Sequence, residues 1–323
     1  MSGPPPPGRR SYRVRHRTTY DYDHPVTDSY GLAHVRPRDL PWQTCREHEL
    51  VVSPEPQDAS TSLDFHGNTR AYFHLTEPHT RLEVTATSVV DVDAPTYAAP
   101  ALEQPWERCR PATRPDVDDA WSARGMVLAS PRVELVDAAT AYALVSFTPG
   151  RPVGEALTEL CSRVHADFAY DKAATTVTSR VPDVLERRAG VCQDFAHLTV
   201  ACLRGLGLAS HYVSGYLATT PPPGRERVVG ADATHAWASC WVPGAAWAAV
   251  DPTNDAWADE RYVTTGWGRD YGDVPPVKGV IFTDGGGSRL DVGVDVAPLD
   301  DPEPAPAAPS VGVEGGIDLG LHR

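Results

Sequence analysis

The segment 187–206, RRAGVCQDFAHLTVACLRGL, constrains the fold more than any other stretch of the 323-residue chain. Gly190 punctuates it, and beyond Cys192 the apolar residues Phe195, Leu198, Cys202 and Leu206 recur at spacings of three, four and four, the stripe of a core-facing helix. A helix so patterned needs a second layer to cover it, and Cys192 falls at its start. There the first backbone N–H groups have no intrahelical partner and the helix dipole is positive, so both favour a thiolate over a thiol. Cys192 is therefore a candidate nucleophile. A cysteine in an apolar run is more often a buried structural thiol, so this segment alone leaves both roles open.

A second segment, 234–254, THAWASCWVPGAAWAAVDPTN, supplies partners. His235, Trp237, Ser239 and Trp241 alternate with Ala236, Ala238, Cys240 and Val242, a period of two that predicts a strand. Pro243 and Gly244 break it, a second extended run follows, and Asp251-Pro252 closes that run, so the pair reads as a hairpin. A turn centred on 243 or 244 puts His235 opposite Asp251 to within one residue. Directly opposed side chains have Cβ atoms about 5 Å apart, within reach for a carboxylate to orient an imidazole. An imidazole so held has its tautomer fixed and is suited to general-base work. In chain order the set is Cys192, His235, Asp251: nucleophile, base and orienter.

These segments, GVCQDFAHL and THAWASCWVPGAAWAAVDPTN, together with LRGLGLASHYVSGYL and GRDYGDVPPVKGVIF, resemble the bacterial transglutaminase-like superfamily, a branch of the papain-like cysteine enzymes. The likeness runs from about Val153 to Phe282, and Tyr12 to Val92 resembles the β-rich region that accompanies the domain in many bacterial members. The resemblance implies that the family's cysteine, in G-x-C, is Cys192, that its histidine, in H-A-W, is His235, and that its aspartate, in D-P-T, is Asp251. It also implies that the Thr-rich stretch before the cysteine motif borders a cleft.

Elsewhere the chain divides by pattern. Residues 1–10 are Pro, Gly and Arg and read as a disordered tail. Short β-type runs fill 11–92, with Gly67-Asn68 suited to a tight hairpin, and predict a small sandwich or curled sheet. The Pro-rich, aperiodic 93–119 reads as a linker. In 120–297 the cysteine domain is expected, with a helix over Val133 to Phe147 and another whose stripe is Val153, Leu157, Leu160, Val164 and Phe168. Gly205 and Gly207 end the cysteine helix, the loop TTPPPGRERVVGAD precedes the His235 strand, and GVIF and LDVGVDV are expected to finish the domain. The acidic Pro/Ala segment 298–323 has no means of making a core.

Charge and composition remove several function classes. A net charge of −14 opposes a nucleic-acid surface, which needs basic residues to neutralise phosphates. No run of about twenty apolar residues exists to span a membrane. The start MSGPPPPGRR lacks the apolar core of a secretory signal, which predicts a cytoplasmic protein. The six cysteines lack paired spacing and suit reduced thiols. Zinc ligation by Cys192, His197, His235 and Cys240 is disfavoured. Five residues on a helix separate side chains by about 140°, and five on a strand point them to opposite faces. The resulting expectation is an α+β protein: a small all-β domain followed by a papain-like transglutaminase core, its nucleophile helix packed on an antiparallel sheet. Its substrate would be a peptide or protein amide, with transfer to an amine acceptor or to water, and no cofactor or metal is required. Trp237 is expected to wall the imidazole from water, with plain core packing as the alternative. The competing class is a non-catalytic binding protein that retains the fold. Oligomeric state is left open.

Overall fold

The computed structural model describes residues 8–117, 119–173, 179–219 and 234–299. The chain forms two units, and their division does not follow chain order. One gathers Asp93–Gly215 and His235–Val274, the other Arg10–Val92 and residues 275–299.

The β-rich unit is built on one long strand, Arg9–Ala33. Its first half pairs antiparallel with Ser288–Pro298, from Tyr12 opposite Pro298 to Tyr22 opposite Ser288. Its second half pairs with Val277–Thr283, and Thr69–Leu75 pairs with Ser29 to Ala33. Gln43–Ser53, His79–Asp93 and Asp58–Leu63 complete a seven-stranded sheet. Along His79–Asp93, Leu82, Val84, Ala86, Val90 and Val92 are buried at alternate positions. This period-two placement brings Leu82, Val84 and Ala86 into one cluster with Ala33, Val35, Phe73 and Leu75. The hairpin expected at Gly67-Asn68 joins Asp58–Leu63 to Thr69–Leu75.

The other unit lays helices against a five-stranded sheet whose order is Ala256–Trp257, Ala246–Asp251, Thr234–Val242, Ser210–Leu217, Tyr262–Gly268. The helix Val153–Asp167 buries the stripe read from the sequence, Val153, Leu157, Leu160 and Val164. It shares one core with Phe195, Leu198, Cys202 and Leu206 of the helix Cys192–Gly205 and with Ala238, Cys240, Val242, Ala248 and Val250 of the sheet. The opposite parity separates as alternation requires: Trp241 packs with Ala120, Ala123 and Met126. This is the α+β arrangement of a papain-like core, with the cysteine helix on the sheet.

The structure corrects three boundaries. The strands GVIF and LDVGVDV, expected to finish the cysteine domain, pair instead with Arg9–Ala33 in the β-rich unit. Their alternation suits either sheet, and the unpaired flank of the long first strand decides between them. The expected linker, 93–119, is part of the helical unit: it forms the short helix Ala99–Leu102 and the 3₁₀ turns Trp106–Cys109 and Pro111–Thr113. Its prolines open two of these turns, where a missing N–H costs nothing, and Leu102, Trp106 and Cys109 are buried in the main core. The helix expected over Val133 to Phe147 is confined to Asp137–Leu144, because Val133 is drawn into a bridge with Ser130. At the start, the strand begins at Arg9. Most of the two tails, the loop TTPPPGRERVVGAD and part of the Thr-rich stretch lie outside the described residues.

Candidate active site

Cys192 is the first residue of its helix, behind Val191 in extended backbone. Asp194 accepts the Val191 N–H at 2.9 Å, an acidic residue closing the helix start on itself. The carboxylate is pressed against the chain at Gly190, where an added Cβ would stand 2.8 Å from Asp194 Oδ2 and 2.9 Å from its Cβ. The glycine of G-x-C therefore leaves room for the carboxylate that closes the helix start. At the other end Gly207, with φ of 79°, donates to the Arg204 carbonyl and stops the helix as expected.

The helix is buried on all sides from Asp194 to Arg204, more than its apolar stripe implies. Among its buried polar residues Thr199 keeps an unpartnered hydroxyl, whereas Arg204 and His197 are hydrogen-bonded. Arg204 donates to the carbonyls of Leu128, Ser210 and Arg269. His197 accepts the Tyr271 N–H on Nε2 at 3.1 Å, and burial pulls its pKa down to about 3, so it is neutral. Asp194 thus closes the helix start and His197 ties the helix to the backbone at Tyr271.

Of the six cysteines, Cys109, Cys161, Cys202 and Cys240 are buried, with burial pushing their thiols up. Cys192 is half-exposed and packs with Ala196, Tyr212, Ala236, Tyr271 and Val274. The zinc set does not converge: Cys240 is buried on the strand and directs its thiol to the Trp241 carbonyl.

His235 and Asp251 meet. Nε2 of the imidazole lies 2.7 Å from Asp251 Oδ2, and the carboxylate has no solvent exposure. The meeting is diagonal rather than directly across. The register pairs Trp247 with Trp241 and Val250 with Ala238, so Asp251 continues opposite Trp237 and His235 lies two positions beyond. The register centres the turn on 244, the later of the two expected positions, and leaves the pair two residues out of direct opposition rather than within one. Diagonal neighbours remain within reach of an imidazole.

The carboxylate is held from four directions. Tyr262 donates its hydroxyl at 2.9 Å and Asn254 its amide at 2.6 Å to Oδ2, while the Thr253 N–H reaches Oδ1 at 2.8 Å. Burial disfavours its charge, but His235 and these donors outweigh burial and hold its pKa below the usual value. Burial likewise opposes a charged His235, yet the Asp251 carboxylate, helped by a hydrogen bond to the Cys192 thiol, lifts the imidazole to about 10. With Nε2 taken by Asp251, Nδ1 is the nitrogen left to face sulfur. Trp237, 1% exposed, lies with its ring 6.1 Å from the imidazole and tilted by 28°, as a wall on one side. Tyr262 stands 5.3 Å from Trp237, edge-on.

All three residues singled out in the sequence thus come together. Sequence reasoning missed Tyr262 and Asn254. Asn254 ends the D-P-T-N run, a position from which a short side chain returns to an aspartate three residues back. Tyr262 sits on a strand three places from that of Asp251 in sheet order and carried no sequence signal.

A half-exposed thiol at a helix start, touching an imidazole backed by a buried carboxylate, defines a site of the cysteine-enzyme class. Comparison with known proteins gives the family. Residues 12–91 match the bacterial transglutaminase-like N-terminal region, and residues 143–252 match the core of the transglutaminase-like superfamily. The chain belongs to the transglutaminase-like superfamily, a family of cysteine enzymes. An uncharacterized protein of Mycobacterium tuberculosis is 49% identical over 91% of this chain and 94% of its own length. One from Mycobacterium leprae is 34% identical over 89% and 98%. Among solved structures, a candidate cysteine protease from Cytophaga hutchinsonii shares the fold, with a TM-score of 0.71 at 20% identity, covering 94% of this chain and 95% of that one.

Proposed function

We propose that the protein is an enzyme that cleaves or transfers amide-linked acyl groups of peptides or proteins through Cys192, His235 and Asp251. The observation that carries this reading is the imidazole bound at Nε2 by a fully buried carboxylate and raised to a pKa of about 10, with the Cys192 thiol as its other partner.

In the first step the Cys192 proton passes to His235 and the sulfur attacks the amide carbonyl carbon. A C–S bond forms while the carbonyl π pair moves to oxygen. The backbone N–H of Cys192, at the positive end of the helix, is a natural donor to that oxygen. The oxyanion collapses, the C–N bond breaks, and the leaving nitrogen takes the proton from His235, which leaves a thioester. Next, His235 removes a proton from water or from a primary amine as that nucleophile attacks the thioester. The C–S bond breaks and the thiolate returns. Asp251 fixes the ring and stabilises its cation at both steps without itself taking the proton. No cofactor or metal enters the scheme.

A scaffold that had abandoned chemistry would gain by replacing the buried Asp251 charge with an apolar side chain, since burying an ion costs several kcal/mol. Retention of that charge with its full set of donors supports catalysis over a pure binding role. The net charge of −14 supports a peptide or protein partner rather than nucleic acid. Six free cysteines support a reducing, cytoplasmic setting, and among the described residues no helix is long and apolar enough to cross a membrane.

The test is mass spectrometry of a peptide library incubated with wild type and with Cys192→Ala, each with and without a primary amine. A loss of ammonia or amine, dependent on Cys192, is the expected result, and amine incorporation separates transferase from hydrolase. If wild type and Cys192→Ala leave the library equally unchanged across neutral pH, the enzyme reading fails.

A further inference from the structure

An oxyanion held by one backbone N–H is incompletely stabilised, and the surroundings of Cys192 contain a side chain placed to complete the task. The short strand Ala169–Tyr170 runs parallel to Ala189–Gly190, with Tyr170 paired to Gly190. Asp171 then donates its N–H to the Gly190 carbonyl at 2.9 Å. These bonds fix Tyr170 beside the chain two residues before Cys192. The Tyr170 ring also lies 6.4 Å from that of Phe195, inclined by 73°. Phe195 follows Cys192 by three positions and so shares its helix face. The phenol is therefore held against the first turn of the helix, the turn whose N–H groups converge on an anion.

Two phenols sense charge on the thiol, Tyr170 and Tyr212. Exposure separates them. Tyr212 is 2% exposed and packed behind Cys192 with Ala196 and Ala236, where a substrate oxygen has no access. Tyr170 is 53% exposed and open to a substrate from solvent. Its pKa is raised, by burial of part of the ring and then by Cys192, so it is an O–H donor at neutral pH.

We propose that Tyr170 is a catalytic residue whose phenol O–H donates to the developing oxyanion together with the backbone N–H of Cys192. This rests on the cysteine-enzyme reading above, and it adds the donor that reading lacks. It also explains why the chain enters the Thr-rich stretch through a two-residue strand: that strand is what holds the phenol in register with Gly190. A preorganised donor of this kind acts only where charge appears, so it favours reactions that pass through a tetrahedral oxyanion and leaves others alone.

Two small probes distinguish these cases on the full-length protein. With p-nitrophenyl acetate, Cys192 sulfur adds to the carbonyl carbon, the oxygen becomes an oxyanion, and p-nitrophenolate leaves as the thioester forms. With iodoacetamide, sulfur displaces iodide from a saturated carbon and no oxyanion arises. Tyr170→Phe keeps the ring against Phe195 and removes only the donor. The expected result is an acylation rate constant lowered on the order of 100-fold, with the alkylation rate constant within about twofold of wild type. Unchanged acylation, or an equal fall in both rates, overturns the assignment. A wild-type Cys192 that alkylates no faster than a thiol in the denatured chain overturns the cysteine-enzyme reading and this assignment with it. A wild-type thiol that alkylates rapidly but ignores the ester overturns the oxyanion role alone.

Discussion

Replacing Asp251 with asparagine keeps the shape of the site and removes one charge. In the wild type, burial works against a protonated His235, and the carboxylate reverses this and carries the imidazole from 6.5 to about 10. That rise is worth about 5 kcal/mol in favour of the imidazolium. With its oxygen in place of Oδ1 the asparagine still accepts the Thr253 N–H, and its NH2 in place of Oδ2 faces the Tyr262 hydroxyl, which can turn to accept, so the local backbone has little reason to move. With the carboxylate gone, burial acts alone and His235 is neutral at pH 7. A thiol without an imidazolium beside it is thiolate only to a few per cent at that pH, so alkylation of Cys192 by iodoacetamide slows on the order of 30-fold. The assay is the second-order alkylation rate constant of both proteins from about pH 5 to pH 9, with peptide mapping to confirm the site. Wild type is expected to alkylate faster than Asp251→Asn across this range, because only the wild type keeps a charged imidazole beside the sulfur up to about pH 10. Superimposable profiles for the two proteins would refute the claim that the buried carboxylate sets the charge of the pair.

Other expectations follow from the same contacts. Tyr262→Phe removes one donor from Asp251 Oδ2 and should cost about 1 to 3 kcal/mol of stability, read from denaturant unfolding, with a several-fold slower alkylation of Cys192. Gly190→Ala places a methyl 2.8 Å from the Asp194 carboxylate; a loss of about 1 to 3 kcal/mol is expected, and a melting temperature equal to wild type would show that the helix start can yield. The pair also couples stability to pH. The folded pKa of His235 lies above its free value, so its contribution is complete below about pH 6.5, where both states are protonated. That contribution declines as pH rises toward about 10. Asp251 is shifted down, so its contribution is present above its ordinary carboxylate range and lost as pH falls through its lower folded pKa. Melting temperature should therefore decline on both the acid and alkaline sides, and the alkaline decline should be weaker in His235→Gln.

Local pattern was informative wherever one face of an element was enough to define its role. The stripe of Val153–Asp167 specifies a face and is buried as its period requires, whereas the Cys192 helix and the His235 strand, though their periods identify them, are buried on every side from Asp194 to Arg204 and from Ala236 to Val242. The hairpin joining His235 to Asp251 was legible because strand pairing converts a turn position into a partner. The pair fell two residues out of direct opposition rather than within one, because each residue by which a turn centre moves shifts the opposing partner by two. What stayed hidden was long-range. Val277–Thr283 and Ser288–Pro298 carry the same alternation as any strand, and nothing within them names Arg9–Ala33 as their neighbour. Likewise Pro-rich composition hid the burial of Leu102 and Trp106, whose apolar area outweighs the weak secondary structure around them. Tyr262 reaches Asp251 through a strand order that sequence does not state.

The way Arg9–Ala33 finds its last neighbours bears on how the protein is made. Ser288–Pro298 leaves the ribosome after more than two hundred intervening residues, which at usual elongation speeds is a delay on the order of tens of seconds. By the end of that interval every segment that builds the Cys192 helix and its sheet has emerged, while Arg9–Ala33 still has one flank without a partner. The nascent chain thus completes the unit that carries Cys192 before it can seal the edge of the Arg9–Ala33 sheet, and exposure to aggregation is concentrated in that wait.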